Sequence, residues 1–135
     1  MIKIEEISIG DWVMYNPNVF IEDEYEPTKE CFPTKINSGE DIDLAIEGCY
    51  IPLPITPEIL EKNGFVLESD GWVYYQNPEL KQQDYICVSF RHNGEPRSVE
   101  INFIHKAQCV FRQIYEVHEL QHVLKICGIN KEIVV

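Results

Sequence analysis

A chain of 135 residues is one ordinary domain, or two small modules sharing a core. Its hydrophobic content of 44%, with 11% aromatics, excludes a disordered chain. With 23 acidic against 11 basic residues the formal net charge is −12. That charge argues against direct nucleic-acid or membrane binding and favours a basic partner, although plain solubility is the simpler account.

No apolar run reaches the length of a membrane span, and Met1-Ile2-Lys3-Ile4-Glu5-Glu6 places acid where a signal peptide has its apolar core. A cytoplasmic protein is expected. Five cysteines (Cys31, Cys49, Cys87, Cys109, Cys127) form no C-x-x-C pair and are odd in number, so reduced, buried thiols are expected rather than a disulfide framework.

Ile7 to Tyr15 alternates apolar and polar residues around Gly10-Asp11, which predicts a strand, a turn and a second strand carrying Trp12 or Val13 inward. Pro17 ends it, and Glu22-Asp23-Glu24-Tyr25-Glu26-Pro27 reads as an exposed acidic loop. Further short strands are predicted at Thr34 to Asn37 and Asp43 to Cys49, separated by Ser38-Gly39-Glu40-Asp41. Such a series points to a small twisted barrel or curled sheet over residues 1–50. Ile51-Pro52-Leu53-Pro54-Ile55 is a linker whose prolines exclude a central strand and whose aliphatics can dock on a core.

Residues 51–135 read as an α+β unit. A short helix starts at an N-cap, Thr56, with Pro57 at its first position and Glu58 facing the positive end of the helix dipole. Gly64 is placed to end it in a left-handed cap, with Phe65 over Leu60. Two hairpins follow. Phe65 to Ser69 and Trp72 to Gln76 flank Asp70-Gly71; Tyr85 to Arg91 and Ser98 to Ile104 flank a loop with Asn93-Gly94. Ile86, Val88, Phe90, Val99, Ile101 and Phe103 form the apolar face, and Cys87, Ser89, Arg91, Glu100 and Asn102 the solvated one. A fifth strand is predicted at Gln108 to Gln113. The last helix runs from near Tyr115 to Cys127, closed by Gly128 with Ile129 folding back toward Leu124. Lys131 to Val135 reads either as a short edge strand or as a fraying end.

One catalytic signature is present. His118-Glu119-Leu120-Gln121-His122 spells H-E-x-x-H, in which two imidazoles one turn apart hold zinc and the glutamate acts as base. On a helical wheel, however, Val117, Leu120, Gln121 and Leu124 form the apolar stripe. His118 and His122 fall well off its centre, so both are expected to be partly exposed. A third ligand is also hard to find. Cys127 and Glu132 have no zincin spacing, and a closed set of His105, Cys109, His118 and His122 matches no zinc-finger rule. No metal or other cofactor is expected. His92 reads as a solvated turn residue. Trp72, Tyr74 and Tyr75 could offer a stacking platform to a ligand, against the simpler reading of half-buried sheet.

Three stretches taken together carry a resemblance: Ser8-Ile9-Gly10-Asp11-Trp12-Val13, Ile51 through Phe65, and Val117 to His122 followed by Cys127-Gly128-Ile129. Their order and spacing resemble small uncharacterised proteins of gut Bacteroidetes genomes, many carried by phages or prophages. The middle stretch is the most specific; residues 14–50 and the hairpins are not matched closely. The resemblance implies an SH3-like barrel at the N-terminus and an α+β unit after it, with no activity attached. It also implies Gln in the slot of Glu119 and Asn in that of His122, which makes H-E-x-x-H a local coincidence in a packing helix.

The fold expected is therefore α+β, with an N-terminal small SH3-like β-barrel module (residues 1–50) followed by an antiparallel sheet with two helices (residues 51–135). The function expected is that of a non-enzymatic binding or adaptor protein of phage or prophage origin. Its partner would be a protein, such as a host-defence component, or a small-molecule ligand such as a nucleotide signal. The alternatives are a zinc-dependent hydrolase using His118, His122 and Glu119, and a structural component of a phage particle or complex.

Overall fold

The computed structural model describes residues 6–20, 29–46, 48–68, 71–76, 84–103 and 108–135. The acidic loop expected at Glu22 to Pro27 lies outside the described residues, as do Ser69, Asp70, Ile104 and His105. The chain divides into two compact units, Met1–Leu53 and Pro54–Val135.

The first unit is a three-stranded antiparallel sheet with an α-helix. Its strands are β1 (Trp12–Tyr15), β2 (Phe32–Lys35) and β3 (Tyr50–Ile51), in the order β2-β1-β3. Among the described residues the sheet does not close into a barrel. Pro33 sits on β2, an edge strand, where its missing N–H costs no central ladder bond. Val13 is the residue that turns inward, fully buried with Ile7, Ile36 and Tyr50, while Tyr15, Ile42 and Leu44 pack around them.

Two sequence expectations fail in this unit. Ile7 to Ile9 is not a strand, because Asp11 organises a tight turn there. Its carboxylate accepts from the Ser8 amide at 2.8 Å, its own amide donates to the Ser8 carbonyl at 3.1 Å, and Gly10 takes φ +99°. The strand expected at Asp43 to Cys49 is instead α1 (Gly39–Ile46). Ser38 and Asp41 cap it reciprocally: Asp41 Oδ2 accepts from the amides of Asn37 (2.8 Å) and Ser38 (3.0 Å), and Ser38 Oγ accepts from the Asp41 amide at 3.4 Å. Gly48 at φ +80° closes the helix, with the Cys49 amide donating to the Leu44 carbonyl at 3.3 Å. The segment that reads as a turn between strands is thus a helix start.

The second unit holds two helices and a five-stranded antiparallel meander. The helix α2 (Pro57–Lys62) begins as its sequence predicts, with Thr56 Oγ1 accepting from the Ile59 amide at 3.3 Å. Gly64 at φ +81° ends it, its amide donating to the Glu61 carbonyl at 3.1 Å. So short a helix needs external clamps, and Leu60 and Phe65, both buried, supply the apolar one. The strands β4 (Phe65–Leu67), β5 (Val73–Gln76), β6 (Tyr85–Phe90), β7 (Pro96–Phe103) and β8 (Gln108–Gln113) pair in chain order. Gly71 (φ +79°) and Gly94 (φ +84°) make the positive-φ turns between β4 and β5 and between β6 and β7.

Register decides which face is interior. Tyr74, Val88 and Val99 align across β5, β6 and β7, as do Ile86 and Ile101, and all five are buried. The helix α3 (Val117–Ile126) buries Val117, Leu120, Val123 and Leu124, so its stripe and this sheet face are the apolar surfaces the unit encloses. Its end is a Schellman motif: Gly128 takes φ +73°, its amide donates to the Lys125 carbonyl at 3.0 Å, and the Ile129 amide donates to the Leu124 carbonyl at 2.9 Å. On the opposite face Tyr75, Cys87, Glu100 and Phe111 align. Cys87, on the face that alternation assigns to solvent but expected buried as a free thiol, is 5% exposed and sits between Tyr75 and Glu100 in register.

The C-terminal segment is neither a strand nor frayed. Asn63, itself buried, grips Val134 at two points: its Nδ2 donates to the Val134 carbonyl at 2.7 Å and its Oδ1 accepts from the Val134 amide at 2.9 Å. The same Nδ2 donates to the Ile59 carbonyl at 2.7 Å. One side-chain amide therefore ties the end of α2 to the end of the chain, and Ile133 beside it is fully buried.

No disulfide links the five cysteines. Only Cys49 and Cys87 are buried, whereas Cys109 is exposed on β8, so the expectation of buried thiols fails for the edge strand. No helix among the described residues is long and apolar enough to cross a membrane.

Candidate functional site

Two places carry chemistry-bearing side chains in the second unit. One is the first turn of α3. The chain enters it through a bridge between Pro54 and Glu116, and the Ile55 amide donates to the Tyr115 carbonyl at 3.1 Å. Glu116 is the N-cap and Glu119 occupies the third helical position. The Glu119 Oε2 atom accepts from the Tyr115 amide at 2.6 Å and from the Glu116 amide at 3.1 Å. Two of the orphan donors before the helix are thereby satisfied by one carboxylate, the role of the acidic member of a capping box.

The acidity of Glu119 follows. Partial burial pushes its pKa up, but the hydrogen bonds from Tyr115 and Glu116 and the neighbouring His118 outweigh burial, so the pKa falls below the ordinary value. A general base for hydrolysis needs the opposite tuning, toward neutrality, and an oxygen aimed at a metal-bound water.

The two histidines do not behave alike. Their rings meet edge to face with centroids 5.9 Å apart. His122 is half-buried, but His118 is 4% exposed, which corrects the expectation that both lie at the rim. The helical wheel assumes that only the sheet covers the helix. At its first turn α3 is also flanked by the chain at Pro54 and Ile55, so burial there is not set by the stripe alone. Cys127 caps the C-terminal end of α3 and Glu132 is exposed beyond it. His105, the remaining candidate ligand, lies outside the described residues. Among the described residues no three His, Cys, Asp or Glu side chains group closely enough to hold a metal ion.

The other place is the end of the sheet at the Gly94 turn. Trp72, Tyr74 and Tyr75 do not form one platform there, because the strand distributes them. Tyr74 points into the core, 6% exposed and edge-on to Phe90 at 5.6 Å, and burial raises its phenol pKa, with Glu61 and Glu58 adding to the effect. Tyr75 lies on the outer face beside Tyr85, at 5.7 Å. Trp72 alone of the three lines a pocket of about 480 Å³, together with Val73, Ser89, Phe90, Arg91, His92, Arg97 and Gln113. That volume falls within the roughly 300–1,000 Å³ of small-ligand sites.

Local folding explains how this pocket arises. The turn closes with the Arg91 amide donating to the Glu95 carbonyl (2.8 Å), the Gly94 amide to the Arg91 carbonyl (2.9 Å), and Asn93 Oδ1 accepting from the Glu95 amide (3.1 Å). The register slips between Ser89 and Phe90, so that Phe90 pairs with Pro96. Arg91 and Arg97 therefore flank one turn. On the other side Trp72, just before β5, is anchored by its carbonyl accepting from the Phe90 amide at 2.8 Å. Its ring meets His92 edge-on at 4.7 Å. His92 is exposed in the turn, as its sequence predicts, and also lines the pocket.

Arg91, Arg97, Ser89 and Gln113 are the residues that sequence reasoning passed over. A signal for them existed: all three arginines of the chain fall between positions 91 and 112, and two flank the Asn93-Gly94 turn. No family model, no curated protein and no solved structure matches this chain.

Proposed function

We propose that the chain is a non-enzymatic binding protein of phage or prophage origin, whose small-molecule ligand occupies the pocket beside Trp72. The observation that carries this reading is the pocket itself: an aromatic residue, two arginines and two neutral polar residues line one pocket at a hairpin end. The capping role of Glu119 supports the non-enzymatic reading over the zinc-hydrolase alternative, since it occupies the carboxylate that would act as base. For the N-terminal unit we keep the SH3-like reading. Its support is the set of short antiparallel strands around one small core.

The test is a thermal-shift screen of a small-molecule library on the chelator-treated full chain, in parallel with Gln113→Trp. Gln113 is exposed on the pocket wall, so a tryptophan there fills the cavity without entering the core. Hits that stabilise the native chain and lose their effect in Gln113→Trp are expected. A screen in which every hit acts equally on both proteins would sink the reading. So would stoichiometric zinc that is lost in His122→Asn.

A further inference from the structure

Given that this pocket is a ligand site, we infer that its ligand is a nucleoside phosphate, with the phosphate held by Arg91 and Arg97 and the base laid against Trp72. The charge pattern is the first support. In a chain of net charge −12, two arginines sit three residues either side of Gly94 and line one cavity, with His92 between them in sequence. Among the described residues neither guanidinium is engaged in an ion pair. The turn's own carboxylate, Glu95, has its amide and carbonyl tied into the turn while its side chain is exposed. At physiological salt the screening length is about 8 Å, so charges within the turn act on a bound ligand more strongly than those farther away.

The second support is the kind of cation. A guanidinium presents a planar fork of donors that fits phosphate oxygens in pairs, and three such oxygens can accept from two forks at once. Among the described residues lysine, the commoner base of this chain, lines no part of the cavity.

The third support is the flat wall. Trp72 is 37% exposed and stands edge-on to His92, so the two rings form a corner against which one planar ring can stack. Ser89 and Gln113 provide a hydroxyl and an amide within the same cavity, able to pair with sugar hydroxyls or base edges. An inorganic anion would leave the aromatic wall unused, and an uncharged aromatic would leave two guanidiniums unused.

Isothermal titration of the full chain tests this, with ADP, GDP and UDP as nucleotide probes, and adenosine and inorganic pyrophosphate as the separate halves. At least one nucleotide should bind with a Kd below about 1 mM. Adenosine and pyrophosphate should each bind at least tenfold more weakly than that nucleotide. The double variant Arg91→Gln, Arg97→Gln should weaken nucleotide binding at least tenfold, and Trp72→Ala should weaken nucleotide but not pyrophosphate binding. Both arginines are exposed, so the double variant is expected to keep the native melting temperature and the comparison stays interpretable.

Several results overturn the inference. Pyrophosphate binding as tight as every nucleotide means an anion site with no ring. Nucleotide binding unchanged in the double arginine variant places the ligand elsewhere. No nucleotide binding, while an uncharged library hit is still blocked by Gln113→Trp, overturns the ligand class and leaves the pocket a binding site. No Gln113→Trp-sensitive ligand of any kind removes both conclusions together.

Discussion

Replacing Glu119 by alanine separates the structural and the catalytic readings of the His118–His122 segment. The variant leaves the Tyr115 and Glu116 amides without their acceptor, at 2.6 and 3.1 Å respectively. A hydrogen bond to a charged group contributes about 1.5–3 kcal/mol, and helix capping interactions about 0.5–2 kcal/mol. Tyr115 is exposed and Glu116 half-buried, so water replaces part of what is lost and the expected cost is about 1–2 kcal/mol. For a chain of this size that is a fall in Tm of roughly 3–10 °C. The assay is equilibrium urea denaturation at pH 7, followed by far-ultraviolet circular dichroism, on Glu119→Ala and Glu119→Gln.

The pH dependence has a definite sign. The folded pKa of Glu119 is lowered, so its stabilisation is complete above the ordinary glutamate value, about 4.3, and is lost as pH falls through the lower folded value. The stability gap between the native chain and Glu119→Ala should therefore stay constant between pH 6 and 8, on the order of 1–2 kcal/mol, and narrow only below about pH 4.3. Glu119→Gln keeps an acceptor for the same amides and should recover part of the loss. A Glu119→Ala variant as stable as the native chain at pH 7 would refute the capping argument. So would a gap that closes near neutrality, where a carboxylate tuned as a base would titrate.

Two further predictions concern the packing around the sheet. Asn63→Ala removes both bonds to Val134 and the bond to the Ile59 carbonyl. It should destabilise the chain by about 2–3 kcal/mol, and hydrogen exchange at the Val134 amide should accelerate more than at the strand amides of Val88 and Val99. Equal acceleration at all three would mean that the amide clamp does not act locally. Thiol labelling at pH 8 should modify Cys109 long before Cys87: burial, with Glu100 nearby, pushes the Cys87 thiol up to about 11, whereas Cys109 is exposed. Cys109 should still react more slowly than a simple thiol, since slight desolvation and the Glu100 carboxylate, 3.6 Å away, raise its pKa too. Cys87 labelling as fast as Cys109 would contradict the buried placement.

What could be read from the chain alone was local. Thr56-Pro57, Asn63-Gly64 and Cys127-Gly128-Ile129 specify helix ends because capping depends on a few adjacent residues. The glycine turns and period-two alternation likewise announced both hairpins and the inward set of Ile86, Val88, Val99 and Ile101. Even the one misread helix, α1, had its signal in Ser38 and Asp41, a capping box taken for a turn because both use the same residue types.

The tertiary structure decided everything that depends on residues distant in sequence. The burial of His118 and Cys87 is set by neighbours that no wheel or alternation names. The hold of Asn63 on Val134 joins positions 71 residues apart. The pocket exists because a slip between Ser89 and Phe90 and the approach of Trp72 bring two arginines, an imidazole and an indole together. The H-E-x-x-H string was plain in the sequence, but which atoms its carboxylate faces is a matter of geometry, and Glu119 faces the start of its own helix.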